Sequence, residues 1–438
     1  MALVVKNNMQ AKNTLNQLNR NQKALSKDLK KVASGMKINS AADDASGLSI
    51  AEKMDVRLRS LEQDNQNVQN GNSMLKVAEG AMASTVDILK TMKEKVINAA
   101  NDTNSDADRA IIQKEIDQAI DQIDDNANAM YNGKVMLDGS KNDLVLEPGT
   151  RTHLTNSSFS AGTSKDTNLV NLYARTGDPV GILVGDTVTV SYVKDGETQI
   201  ESITVGKKTK LKDIFDWEPC KYDMNIVNYS DQSKIGVDQF GNDVFTPDRG
   251  EAITFRAANP GIEGQISGLT VCVQDSEGNL RKSANTILDN FNETIRAQNP
   301  CEDNAMVLQS GTKANEAIKV GFTDMRSVAL GLKTPEGKTL NISTQANANA
   351  AINVVDTALQ KVLDQQTKIG SVESRLDYTS SNIVVAAENT QSSMSVIRDA
   401  DMAKEMTAYT KDNVLLQASQ SMLAQANQNS SSVLSLLQ

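Results

Sequence analysis

The residues able to do chemistry are few. His153 is the only histidine in 438 residues, and it lies in Thr150-Arg-Thr-His-Leu-Thr155. A zinc hydrolase of the HExxH type needs two histidines one helical turn apart with a glutamate base between them. One histidine supplies neither that site nor a nucleophile–base–acid triad, and it reads as a surface residue. Asp43 and Asp44 form a carboxylate pair, but adjacent side chains point in different directions and no base or nucleophile lies near them. They read as turn and capping residues. Asp102, Asn104 and Asp106 imitate the opening of a calcium loop. Such a loop needs glycine at its sixth place and glutamate at its twelfth, where Ala107 and Gln113 stand, so a helix-capping loop is the better reading. Cys220, Cys272 and Cys301 have no metal-ligand spacing, and an odd number in a mostly Cys-free chain argues against a disulfide framework. They read as buried free thiols. No phosphate-binding glycine loop occurs. The chain therefore reads as a non-enzyme without catalytic residues, metal or cofactor.

What remains is architecture. No apolar run reaches 18 residues, so no transmembrane helix is expected. Met1 to Lys12 lacks a basic segment followed by a long apolar one, so no cleaved signal peptide is expected and export would need another route. The net charge of −10 is uneven: residues 1–40 carry eight basic residues against Asp28, which leaves −17 for the remainder. The basic segment has scattered lysines and no aromatic side chain to stack on a base, so nucleic acid is not an expected partner. Neither is a membrane.

Proline and aromatic residues divide the chain. All seven prolines lie between Pro148 and Pro335, which frees both ends for long helices. Eleven of the fifteen aromatics fall between Phe159 and Phe291, so the middle has a different kind of core. At the ends apolar residues recur in sevens, the signature of a coiled coil. Val4, Ala11, Leu18, Leu25 and Val32 form one such series, with Leu15, Leu29 and Met36 as a second seam. Leu61, Val68, Leu75, Met82, Leu89 and Val96 form another, predicting a helix of about 40 residues, or about 60 Å. Ile112, Ile116, Ile120, Ile123 and Ala127 mark a shorter helix, with Ser105 and Asp108 as a capping box. Towards the C-terminus, Val355, Val362, Ile369, Leu376, Ile383 and Ile397 repeat in sevens. So do Met402, Tyr409, Leu416, Leu423 and Leu437. Each seam needs a partner, and pairing the N-terminal helices with the C-terminal ones makes the middle an insertion whose ends lie close together.

The fold class expected is mainly α: long coiled-coil helices from both ends and a β-rich insertion over about 141–302. Val180–Val184, Val188–Val193, Thr198–Val205 and Ile266–Val273 are strand-like, and Asp195-Gly196 is a hairpin turn signal. Residues 413–438 contain no charged side chain. An uncharged amphipathic tail suits burial against copies of itself. A tail that orders only in an assembly and a plain helix docked within the monomer both satisfy this pattern.

Several long motifs resemble those of bacterial flagellins. Lys31-Val-Ala-Ser-Gly-Met-Lys-Ile-Asn-Ser-Ala-Ala-Asp-Asp-Ala-Ser-Gly-Leu-Ser-Ile50 is similar to the N-terminal signature of that family, as is Tyr131-Asn-Gly-Lys-Val-Met-Leu-Asp-Gly139. Thr323–Leu332, Ile397-Arg-Asp-Ala-Asp-Met-Ala-Lys-Glu-Met406 and Leu423-Ala-Gln-Ala-Asn427 resemble its C-terminal half. The resemblance covers about 1–140 and 303–438. It implies a filament subunit for swimming motility whose partners are copies of itself, an export chaperone, and cap and hook-junction proteins. It implies a location outside the cell, in the flagellum, reached through the flagellum's own type III apparatus. It also implies three regions: an inner terminal coiled coil (1–42 with 397–438), a helical rod (43–140 with 303–396) and an outer variable domain (141–302). Filament packing would fall on Leu18, Leu25, Val32, Leu416, Leu423 and Leu437. Rod packing would fall on Leu61, Val68, Leu75, Leu89, Val355, Val362, Ile369 and Leu376. In such an organism the sequon at Asn156 means little.

The family is also sensed by a vertebrate Toll-like receptor. Carried over by position, the receptor contacts fall on Leu89, Thr91, Glu94, Lys95 and Glu115. Glu94 and Glu115 agree with the activating pattern. Thr91 replaces an arginine and so loses bidentate hydrogen bonding. Lys95 replaces a leucine and so adds a desolvation cost. Weakened activation is expected. The alternative within the family is a hook–filament junction protein, against which the full C-terminal signature argues. A coiled-coil adhesin or an enzyme with helical arms would need a signal peptide or a catalytic constellation.

Overall fold

The computed structural model describes residues 8–435, apart from 231, 239–240 and 247–250. Val4 and Leu437, the outer ends of the two terminal repeats, lie outside the described residues. The chain opens with α1 (Met9–Ser34), α2 (Ala45–Ala99) and α3 (Asp106–Ala127). The strand-rich middle follows: β1 (Met130–Tyr131), β2 (Lys134–Val135), β3 (His153–Asn156), β4 (Thr187–Lys194), β5 (Glu197–Thr204), α4 (Cys220–Asp223), β6 (Met224–Tyr229), β7 (Lys234–Val237) and β8 (Asp243–Phe245). It continues with β9 (Ala252–Ala257), β10 (Ser267–Gln274), α5 (Lys282–Leu288), β11 (Asn292–Ile295), β12 (Met306–Gln309) and β13 (Ala317–Val320). Then come α6 (Ser327–Leu330), α7 (Gln345–Arg398) and α8 (Met402–Ser435). The architecture is thus long terminal helices with a β-rich insertion. It forms two compact units, one from Met1–Val68, Ser310–Glu316 and Tyr378–Gln438, the other from Gln69–Gln309 and Ala317–Asp377.

Local chemistry explains the helix ends. The Asn8 carboxamide accepts the Ala11 N–H at 3.0 Å and starts α1. Gly35, at φ +70°, ends it. Asp44 accepts the backbone N–H groups of Ser46 and Gly47 at 3.1 and 2.9 Å. This cap starts α2 at Ala45, so the helix has 55 residues, not about 40. The shorter reading has a physical cause. Ile50 and Val56 are exposed, and the buried positions of the first turns are the small residues Gly47 and Ala51, which give no large apolar signal to a heptad reading. The Ser105–Asp108 capping box is present. Between α2 and α3, buried Arg109 donates from Nε to the Ala99 carbonyl at 2.9 Å and from Nη2 to the Asn101 carbonyl at 3.1 Å. It thereby satisfies carbonyls at the exposed end of α2.

In the second unit the seam of the long helices is filled. Leu75, Met82, Leu89 and Val96 of α2, Ile116, Ile120 and Ile123 of α3, and Val355, Val362, Ile369 and Leu376 of α7 are all buried to within 1%. Asn72 donates to Asp377 at 2.6 Å and Lys93 pairs with Asp356 at 2.5 Å on the flanks. Gly71 sits inside α2 despite a helix cost of about 1 kcal/mol. A Cβ there would come within 2.9 Å of Leu308, so the glycine admits the β12–β13 hairpin.

Among the described residues the insertion builds two larger antiparallel sheets, ordered β10-β4-β5 and β11-β3-β9-β6, and a β7–β8 pair. The β4–β5 hairpin turns at Asp195-Gly196, both at positive φ, as that dipeptide requires. Val188, Val190, Tyr192, Val271 and Val273 from one sheet share a core with Leu154, Ile253 and Phe255 from the other. Phe255 lies 4.2 Å from Phe215 and 5.2 Å from Phe291, centroid to centroid. Gly268 makes a bulge in β10, where a side chain would strike Val354 and the Ala350 carbonyl of α7.

Three expectations fail here. Val180–Val184 is not a strand. Val180 and Ile182 are buried, but Gly181 and Gly185 adopt φ +83° and +100°, which breaks the extended ladder, and Leu183 and Val184 point out. His153 is not a surface residue but lies 8% exposed on a central strand of the four-stranded sheet. Among the described residues neither ring nitrogen has a hydrogen-bond partner. Burial, then Arg256 and Arg151, push its pKa down to about 4, so it stays neutral in the fold. Of the three free cysteines only Cys220 is buried, and Cys272 and Cys301 are half-buried. The sequon residue Asn156 is itself buried, donating to the Ile287 carbonyl at 2.8 Å.

Candidate functional site: the terminal helix pair

In the first unit α1 packs along α8. The pairing of N-terminal with C-terminal helices follows the heptads, and the face used on α1 is that of the Leu18–Leu25–Val32 series. Leu18, Leu25 and Val32 are half-buried against α8, and so are Leu416 and Leu423 against α1. The residue that completes the α1 seam is Asn21, three positions after Leu18. It is buried and donates to the Leu415 carbonyl at 3.2 Å and to Ser419 Oγ at 2.7 Å. Gln17 donates to its oxygen at 3.2 Å. A polar residue at a core position fixes register at a cost in stability. Of the expected second seam, Leu15 is 44% and Leu29 51% exposed, while Met36 is half-buried and bridges to Asp399. One partner helix covers only one stripe, and α8 sits over the Leu18–Asn21–Leu25 stripe.

An ion pair links the two helices. Lys31 and Glu405 meet at 3.1 Å, both mostly shielded. Asp28, on the same face, has its pKa raised by burial and by Asp412. At the break between helices the two strands cross-bond: the Lys37 N–H donates to the Arg398 carbonyl at 2.8 Å and the Ala400 N–H to the Gly35 carbonyl at 2.9 Å. Asp43, with the Lys27 ammonium at 3.0 Å and the N–H of Asn39, has its carboxyl held down to about 2. Asp43 and Asp44 are therefore turn and capping residues. Asn21, Gly35 and Arg398 were not legible as structural determinants. Only the asparagine in a leucine stripe offered a signal.

The outer faces of this unit carry apolar side chains among their polar ones. Met9 on α1, and Met406, Val414, Leu415 and Met422 on α8, are each at least two-fifths exposed. Met406, Thr407, Thr410, Lys411, Val414 and Leu415 line a shallow groove. Farther along, Ile50, Val56, Val384, Val385 and Val396 are also exposed. The uncharged tail, as far as it is described, is a helix docked within the monomer. Its apolar stripe is only half covered there.

The remaining sites fall as follows. Leu61, Val68, Leu75, Leu89, Val355, Val362, Ile369 and Leu376 are buried. Leu89 is fully buried, so its side chain packs inside and presents nothing to a receptor. Thr91 and Glu94 are exposed. Lys95 and Glu115 form an ion pair at 2.6 Å.

A coiled-coil pair with half-filled seams is the design of a subunit completed by other helices. Comparison with known proteins gives the family. Residues 5–142 match the bacterial flagellin N-terminal helical region and residues 352–437 the bacterial flagellin C-terminal helical region. The chain is 31% identical over 427 residues to a flagellin of Clostridium tyrobutyricum, covering 97% of this chain and 99% of that protein. It is 30% identical over 441 residues to polar flagellin A of Vibrio parahaemolyticus, covering all of both. The chain belongs to the bacterial flagellin family. Among solved structures, flagellar hook associated protein-3 of Legionella pneumophila aligns with a TM-score of 0.34 at 14% identity, over 79% of this chain and 98% of that one. A likeness that loose decides nothing about architecture.

Proposed function

We infer that this chain is the structural, non-enzymatic subunit of a flagellar filament, polymerising through its paired terminal helices outside the cell. One observation carries the reading. The repeat that is fully buried in the rod is only half buried in α1 and α8, with apolar residues facing outwards on both helices. Burial of apolar area is the main drive for association, and other copies of the same helices offer the matching surface. Within this reading residues 1–42 with 397–438 form the inner layer, 43–140 with 303–396 the rod, and 141–302 the outward domain. Leu18, Leu25, Val32, Leu416, Leu423 and Leu437 are the core packing residues of the filament in this reading, and the outward Leu15, Leu29, Val414, Leu415 and Met422 meet other copies. An export chaperone, a cap and hook-junction proteins complete the partners.

Seeded polymerisation tests it. Purified monomer is added to short filament fragments and followed by negative-stain microscopy, beside a chain truncated after Thr410. Long tubes from the full chain and none from the truncation are expected. Short stubs would favour a junction protein, and tubes from both would remove the tail from the assembly mechanism.

Weak activation of the flagellin-sensing Toll-like receptor belongs to the same reading. Thr91 offers no guanidinium fork, and Lys95 is engaged with Glu115. A cell reporter assay is expected to show lower potency than a strongly activating flagellin, with Thr91→Arg plus Lys95→Leu raising it. Equal potency of the unaltered chain would refute the assignment.

A further inference from the structure

The insertion carries one concentrated positive patch in an acidic chain. Lys207, Lys208, Lys210 and Lys212 fall within six residues of a chain whose net charge is −10. The fold adds Lys165 to them. The Lys212 N–H donates to the Lys165 carbonyl at 2.9 Å, the Leu211 N–H to Thr167 at 3.0 Å and the Leu169 N–H to Thr209 at 3.0 Å. The turn between Val205 and Lys210 is fixed by the Gly206 N–H donating to Thr209 Oγ1 at 2.8 Å. Two segments are thus tied side by side with their lysines on a framework already ordered.

Asp166 stands inside the cluster, 3.4 Å from Lys210 and 2.8 Å from Lys212. Asp213 and Asp216 also act on Lys212, and Asp216 is itself paired with Lys221 at 3.2 Å, so the excess of positive charge rests on Lys165, Lys207 and Lys208. Lys165, Lys207 and Lys208 form no ion pair among the described residues. Lys207 and Lys208 are both exposed at the turn. Neither segment holds an aromatic side chain for stacking on bases. Leu169, Val205, Leu211 and Ile214 are buried, so the segments themselves offer no apolar side chain to insert into a bilayer.

We propose that this lysine cluster is a docking surface for a polyanionic polysaccharide, one bearing sulfate or uronate groups in series. Ammonium groups on a fixed framework match repeating anions, and release of the polymer's counterions supplies the drive. The surface is independent of polymerisation. The filament reading adds only repetition, since a polymer would present the patch once per subunit and bind by avidity.

The test uses the full-length soluble chain and heparin as probe. Binding is measured by titration across a range of salt concentrations, with Lys207→Glu/Lys208→Glu as the variant. Lys134→Glu/Lys282→Glu is the charge-matched control, at exposed lysines elsewhere. The unaltered chain and the control are expected to bind with affinity that falls steeply with salt, and the variant to bind about tenfold more weakly. No binding by the unaltered chain, or equal loss in the control, would overturn the proposal. Exposed Leu183 and Val184 lie on the turn beside Val205, where the Gly185 N–H donates to the Val205 carbonyl at 2.9 Å. Vesicles rich in phosphatidylglycerol are therefore a second arm. Binding to these that heparin does not displace would reassign the patch to lipid. Filaments are expected to bind heparin about a hundredfold tighter than monomer. Filaments that bind no tighter would overturn the avidity. A chain that fails to polymerise would refute the filament reading and leave the monomer result standing.

Discussion

The terminal pair and the rod are written in the same seven-residue code and reach different ends. In the rod, α2, α3 and α7 close on one another, and Leu75, Leu89, Val355, Val362 and Ile369 lose all contact with water. In the terminal pair only α1 and α8 are present, Asn21 occupies a core position, and Leu15, Leu29, Val414 and Met422 face outwards. Two helices bury one stripe each, whereas three or more enclose a core. A filled seam stabilises the monomer. A half-filled one stores its gain for the polymer. The lesson is that an apolar repeat states a need for partners without stating whether they come from the same chain.

The comparison is sharpened by breaking it at graded strengths. Leu89→Ala removes a fully buried rod side chain and is expected to cost about 3 kcal/mol in the monomer, read from urea unfolding followed by helical circular dichroism. A cost near zero would mean that the rod core is loose. Acid comes next. His153 has a folded pKa of about 4 against 6.5 unfolded. Its contribution to stability is complete above about pH 6.5, is lost progressively as pH falls towards 4, and changes no further below that. The loss should be about 3 kcal/mol. Trp217, the only tryptophan and part of the insertion's core, reports it by fluorescence. His153→Leu should flatten the pH dependence, and an unchanged slope would point to other groups. Ser105→Ala removes the capping box of α3 and should cost about 1 kcal/mol by the same urea assay. Smallest in the monomer is Leu416→Ala, at about 0.5 kcal/mol, because the side chain is already half exposed. In the polymer the order reverses. The critical concentration for assembly should rise about tenfold or more, while Leu89→Ala should leave it nearly unchanged. Equal effects of the two substitutions on assembly would erase the distinction between the regions.

Much of this was legible in the chain. The heptads located all four long helices, because burial on one face of a helix forces that period. Ser105 and Asp108 announced a helix start, and Asp195-Gly196 a hairpin, because each satisfies a local backbone demand that few residues can meet. Proline and aromatic placement marked the insertion. Less was legible at the terminal site. Leu18, Leu25, Leu416 and Leu423 stood in the pattern, but Leu15 and Leu29 stood in it equally. Which stripe faces α8 depends on a helix almost 400 residues away.

The sequence by itself determined the helices, their mutual need and the β character of the middle, since periodicity, capping and residue type are local properties. Tertiary structure alone decided that His153 is buried, that Val180–Val184 leaves the sheet, that Lys95 meets Glu115 and that Asn21 closes the α1 seam. Each depends on which distant segment covers a residue. Partner geometry sets exposure, and exposure separates a packing residue from an assembly surface.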